Sequence, residues 1–199
     1  MMKKNKKSNE NENIYDFFAE SGLLKRVKRS GWWVVGIKDP ESVADHCYRC
    51  AVIGYVLAKM EKADAHSVTM MCLFNDLHEA RINDSHKVAS TYLNCRQAED
   101  KAFFDQIKDL PESISSEMSG WRKQYTKQED KESIIARDAD IFECLMQAKE
   151  YSDQGNTQAK LFFKKAPSFL KTKSAKKLWQ NLKKWDSSHW WQKITEFER

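Results

Sequence analysis

Three short segments of this sequence carry side chains able to hold a divalent cation or move a proton. The segment "PESVADH" places His46 one turn inside an expected helix. The segment "NDLHEA" sets Asn75 beside Asp76, with His78 and Glu79 directly after them. The segment "ARDADIFE" offers Asp138 and Asp140. Hard or borderline divalent cations take imidazole and carboxylate ligands, and need them from separate, rigid elements. Asp76 and Glu79 are three residues apart and share a helix face. One of them is then available as a ligand and the other as an acid or base toward a water or leaving group. Spacing alone is a weak signal: a carboxylate near a helix end is more often a cap or a solvated charge.

The elements that must position these groups read as helices. Six Gly and three Pro punctuate 199 residues, and apolar residues recur at spacings of three and four. Pro40, Glu41 and Ser42 open a long helix expected to run to about Lys62. Asp64 is the expected N-cap of a second helix ending near Glu79. Residues 95–109 and 112–126 read as two amphipathic helices separated at Pro111, and a long helix follows from about Glu129 to Tyr151. The passage "RSGWWVVGIKDP" reads as loop or extended chain. Facing helices of an all-α bundle supply inward ligands readily.

With these segments in hand, the pattern "RSGWWVVGIKDPESVADH", then "NDLHEA" with a further "ND", then "DADIFECLMQAKEY" resembles the HD-domain phosphohydrolases. It is most similar to the branch that contains bacterial and eukaryotic 5′-deoxynucleotidases. The resemblance runs from about Leu24 to Tyr151. It implies an HD-domain helical bundle and a divalent cation of the Mn, Co, Mg or Zn class. The ligands it implies are His46, Asn75, Asp76 and Asp140, with Asp138 the fallback for the last. It further implies Glu79 as catalytic acid or base, Asp84 orienting substrate or water, and Arg29 and Trp32 contacting a nucleoside 5′-monophosphate. The family often forms homodimers. The departure is Asn75, which stands where the family carries its signature histidine. An amide carbonyl oxygen suits a hard cation but does not replace imidazole for zinc, cobalt or nickel without loss. The substitution is compatible with an amide-oxygen ligand, with a degenerate binding site, or with His78 taking over as ligand.

Composition bounds the rest. Hydrophobic residues are 41% and charged residues 32%, and no apolar run reaches the roughly 20 residues that span a bilayer. Five cysteines in helical, mostly apolar surroundings point to reduced thiols and a cytoplasmic setting, and Cys47 with Cys50 in "CYRC" reads as buried packing. Residues 1–12 are expected as a disordered basic leader, 13–170 as the helical core, and 171–199 as a basic, Trp-rich helical extension. That extension holds eight Lys/Arg against three acids, which accounts for the net charge of +5. It reads first as an aromatic face covering the core or a partner subunit, and second as a nucleic-acid contact. The rival function is a non-catalytic HD-fold module binding nucleotide or nucleic acid.

Overall fold

A computed structural model describes residues 9–195 of the chain. Its α-helices are α1 (Glu10–Gly22), α2 (Val43–Glu61), α3 (Ala65–Phe74), α4 (Glu79–Ile82), α5 (Cys95–Ile107), α6 (Glu112–Lys127), α7 (Lys131–Asp153), α8 (Phe162–Lys165), α9 (Lys173–Leu182) and α10 (His189–Gln192). The fold is all-α, with no strand among the described residues. No helix among them is long and apolar enough to cross a membrane.

Local chemistry sets the helix starts. The Ser42 hydroxyl accepts from the Asp45 amide at 3.1 Å and the Asp45 carboxylate accepts from the Ser42 amide at 2.9 Å, a reciprocal cap on α2. Asp64 caps α3 and Asp130 caps α7 in the same manner with one bond each to the helix amides. Asn9 caps α1, so residues 10–12, expected in a disordered leader, form the first turn of a helix; Glu10 and Glu12 there complement the positive helix end. The first eight residues of that expected leader lie outside the described ones.

Two expectations about the chain path change. The "RSGWWVVGIKDP" passage contains a 3-10 helix over Ser30–Val35, stopped by Gly36 at φ 83°, a conformation costly for any residue with a Cβ. The second helix ends at Phe74 rather than near Glu79. Between them the amides of Leu77, Glu79 and Ala80 bond back to the third preceding carbonyl, a tight turn that re-aims the chain before α4.

The centre of the bundle is α2 packed on α3 and α7, with α3 also against α7. Leu57, Val68, Met71, Ile135, Ala139 and Leu145 are buried there. The three helices meet closely at Gly54, where an added Cβ would lie 2.7 Å from Cys72 Sγ and 3.2 Å from Val68. Gly54→Ala is therefore expected to destabilise the fold by about 1–3 kcal/mol through overpacking, despite alanine's better helix propensity. A lowered melting temperature checks this, and an unchanged or raised one would show the helices free to separate.

Two further contacts position the functional residues. Backbone bonds from Val43 N to Val27 O (2.9 Å) and from Arg29 N to Glu41 O (3.1 Å) strap the residues around Arg29 to the N-terminus of α2. At the other end of the chain, α9 buries Ala175 and Leu182, while Leu178, Trp179 and Trp185 pack at the margin of the main core. The apolar side of the basic extension thus covers the bundle.

Candidate metal centre

His46 lies on the second turn of α2 and is buried. Its Nδ1 is held against Glu143 Oε2 from α7. Glu143 is itself fixed by Arg49, whose Nε and Nη2 donate to Oε1 at 2.9 and 2.7 Å, and whose Nη1 also donates to Glu150 at 2.7 Å. Committing Nδ1 in this way fixes the ring and leaves Nε2 to face the interior, the arrangement that metal-binding histidines use. Nε2 lies 3.4 Å from Asp76 Oδ2 and 3.3 Å from Asp140 Oδ1. Three donors from the α2, α3–α4 and α7 parts of the chain thus meet at one nitrogen.

Charge is balanced tightly here. Burial and Arg29 work against the His46 cation, but Glu143, Asp140 and Asp76 outweigh them and hold its pKa well above the ordinary value. Burial opposes ionisation of Asp140, yet Arg137, His46 and Arg29 bring its pKa far below the usual range. Asp76 is likewise lowered against its burial, by His46 and Arg29. The two aspartates are anionic, and binding a cation at Nε2 must release the imidazole proton. Asp140 Oδ2 also accepts from Tyr125 Oη at 3.0 Å and Arg137 Nη1 at 2.7 Å.

Arg29 reaches the same cluster, with Nη1 3.6 Å from Asp76 Oδ2 and 3.7 Å from Asp84 Oδ1. Asp84 holds the preceding loop through Ser30, accepting from its hydroxyl at 2.8 Å and its amide at 2.5 Å. Glu79, at the start of α4, is buried, and its Oε2 has no hydrogen-bond partner among the described residues. Burial and the nearby charges of Asp76 and Asp84 hold its carboxyl well above the usual range, with Arg29 and His46 only partly offsetting them. Its pKa is raised while that of neighbouring Asp76 is lowered, the divergence that separates acid from base roles in catalysis.

Asn75 sits at the end of α3 and donates from Nδ2 to Asp76 Oδ1 at 2.6 Å, while its backbone carbonyl accepts from Arg122 Nη1 at 3.0 Å. In this rotamer the side chain steadies Asp76; turning the amide over presents the carbonyl oxygen instead. His78 is buried with Nδ1 unpartnered, and burial pushes it down to about 4. Among the described residues no hydrogen bond or ion pair joins it to His46, Asp76 or Asp140. The option that His78 replaces the missing imidazole gains no support from this placement.

The donor chemistry fits a divalent cation: one imidazole nitrogen tied back through Nδ1, two ionised carboxylates and an adjacent amide. Glu41, His46 and Glu143 bring one ligand atom each within 4.8 Å of one another, a tighter grouping than His46 makes with Asp76 and Asp140 among the described residues. That second grouping uses the Nδ1 side, where Arg49 already occupies Glu143 and the Trp32 indole occupies Glu41, so it is an ion-pair network rather than a cation site.

Two expected residues are placed differently from their expected roles. Trp32 is 2% exposed, stacked near Tyr151 and Phe162 at centroid distances of 5.1 and 4.4 Å, with Nε1 donating to Glu41 at 3.0 Å. It braces the Arg29 loop and has no free face for a sugar or base. Asp138, the fallback ligand, accepts from the amides of Lys171 (2.9 Å) and Thr172 (2.7 Å), tying down the start of α9. Asp138→Ala is expected to cost on the order of 3 kcal/mol in urea unfolding, because two amides lose a charged acceptor. Cation affinity of the folded fraction should stay near wild type; its loss would return Asp138 to the ligand set.

Several residues of the site escaped the sequence reading. Glu143 falls on the same face of α7 as Asp140, three residues on, and Arg49 is three residues from His46 on α2; both spacings were visible. Tyr125 and Ser30 reach the site only through tertiary packing and left no local mark.

The model of the HD domain family matches residues 21–183. The 5′-deoxynucleotidase HDDC2 of Dictyostelium discoideum is 32% identical over 150 residues, covering 71% of this chain and 79% of that protein. The 5′-deoxynucleotidase YGK1 of Saccharomyces cerevisiae is 28% identical over 169 residues, covering 80% and 77%. The crystal structure of PH0347 protein from Pyrococcus horikoshii aligns with a TM-score of 0.72 at 27% identity, covering 85% of this chain and 96% of that one. The matched span reaches past residue 170 and takes in α9. With that span, and with His46, Asp76 and Asp140 converging inside it, the chain belongs to the HD-domain family.

Proposed function

We propose that this chain is a divalent-cation-dependent phosphomonoesterase that removes the 5′-phosphate from deoxyribonucleoside monophosphates. The observation that carries the reading is His46 Nε2 flanked by Asp76 and Asp140, with Nδ1 committed to Glu143. The relatives named 5′-deoxynucleotidases support the substrate class.

His46, Asp76 and Asp140 would hold the cation, with the Asn75 amide beside them. A bound cation of the Mn, Co, Mg or Zn class supplies charge to the phosphoryl oxygens and acidity to a nearby water. Arg29, poised between Asp76 and Asp84, offers forked donors to the phosphate. Asp84 keeps that loop in place through Ser30. Glu79, its pKa raised by burial and by neighbouring Asp76 and Asp84, delivers a proton to the departing 5′-oxygen. Phosphoryl transfer depends mostly on positioning and charge, and each of these residues serves one of the two.

The test is phosphate release from individual deoxynucleoside 5′-monophosphates with added Mn, Co or Mg. Release from the 5′-esters and not from 3′-monophosphates supports the reading. Silence with every substrate and cation rejects it in favour of a nucleotide-binding module, one of the readings that Asn75 leaves open. Homodimerisation belongs to the same proposal. Tyr48, Val52, Tyr55, Val56 and Met60 form an exposed apolar stripe on α2, opposite the face packed on α3 and α7. Light scattering at twice the chain mass supports a dimer, and Val52→Glu should shift it to monomer. Five free cysteines and the absence of a spanning helix among the described residues support a cytoplasmic setting.

A further inference from the structure

The C-terminal end of α7 and the segment after α9 enclose an open groove that meets the groups used above at Glu150, the partner of Arg49. Lys149, Glu150, Asp153 and Gln154 form its floor; Lys183, Lys184, Trp185 and the Trp190–Trp191 pair form its walls. Its volume is about 770 Å³, within the range of about 300–1,000 Å³ that ligand sites occupy.

The acids of the floor are already engaged. Asp153 accepts from Lys149 Nζ and from the Ser187 amide, and Glu150 accepts from Arg49. Lys183 and Lys184 on the wall are exposed and have no ion pair among the described residues. The exposed face of α9 adds Lys173, Lys176 and Lys177 alongside. Trp190 is 61% and Trp191 41% exposed, large aromatic surfaces left in water beside this positive edge.

We infer that this groove binds single-stranded nucleic acid, with Lys183 and Lys184 on phosphates and Trp190 and Trp191 stacking on bases. Lysines that follow a backbone beside open aromatic faces are the recurring chemistry of sequence-tolerant single-strand binding. A lipid surface is the competing partner for a basic helix with tryptophans. It fits less well, because the apolar side of α9 is spent inside the protein on Ala175, Leu178 and Leu182. What remains exposed is a groove in which the two tryptophans stand among lysines and other polar groups rather than on a continuous apolar face. The folded chain therefore carries a site for polymeric nucleic acid apart from the His46 cluster, independent of whether that cluster is catalytic.

Fluorescence anisotropy of the whole protein with a labelled 15-nucleotide oligothymidylate tests this. Binding is expected to weaken steeply with added salt, as counterion release requires. Lys183→Glu combined with Lys184→Glu, and separately Trp190→Ala, should each weaken binding at least about tenfold with circular dichroism unchanged. Absence of salt-sensitive binding, or equal binding by both variants, would overturn the inference. So would tighter binding of a matched duplex, or co-sedimentation with anionic phosphatidylserine vesicles without affinity for the oligonucleotide.

Discussion

Glu79→Gln is expected to slow phosphate release by about a hundredfold to ten-thousandfold while leaving the cation bound. The substitution keeps the size of the buried side chain, and its uncharged amide suits a position whose burial already disfavours the carboxylate, so the fold around Asp76 and Asp84 changes little. What it removes is the transferable proton. The raised pKa gives the sign of the pH response: the acid form is the active one, so the rate should fall as pH rises through that pKa, and the glutamine variant should lose this alkaline limb. Turnover near the wild-type rate in Glu79→Gln would show that leaving-group protonation comes from elsewhere.

Asn75→His is expected to raise cation affinity by about tenfold to a hundredfold or more, since even partners outside the ligand set change metal affinity by that amount. The imidazole adds a nitrogen donor next to Asp76, of the kind that borderline cations prefer. Asn75 borders a cavity of only about 10 Å³ lined by Met71, Phe74, Phe103, Trp121, Arg122 and Tyr125, so the larger ring must shift its neighbours to reach the site. The gain should be larger for zinc and cobalt than for magnesium, and should appear both in titration calorimetry and as a cation-dependent rise in melting temperature. An affinity equal to or below wild type would mean that the Asn75 bond to Asp76 is worth more to the site than a fourth ligand.

The starts of α2, α3 and α7 were legible because Ser42, Asp64 and Asp130 act within their own turns. The end of α3 was not, because apolar spacing continues smoothly into Leu77 while the backbone tightens to shorter hydrogen bonds. Asp138 and Asp140 look alike in sequence. Only the returning chain at Lys171 and Thr172 separates them, by claiming one as an anchor and leaving the other beside His46. Trp32 and Trp33 are adjacent and chemically equal, yet packing against Tyr151 and Phe162 buries the first and exposes the second. The resemblance supplied His46, Asp76 and Glu79 as a set; the partner that orients His46, Glu143, needed the fold. Helix α9 of the basic tail divides by face, apolar toward the core and lysine-rich toward solvent, the first of the two readings that its helical spacing offered.

The most direct measurement is phosphate release from a deoxynucleoside 5′-monophosphate by chelator-treated protein titrated with Mn, alongside Asp140→Ala treated identically. Wild type should be silent when stripped and recover activity in proportion to bound cation, while Asp140→Ala stays silent at every cation concentration. Release that survives chelation, or that persists in folded Asp140→Ala, would contradict a cation-dependent phosphomonoesterase built on His46, Asp76 and Asp140.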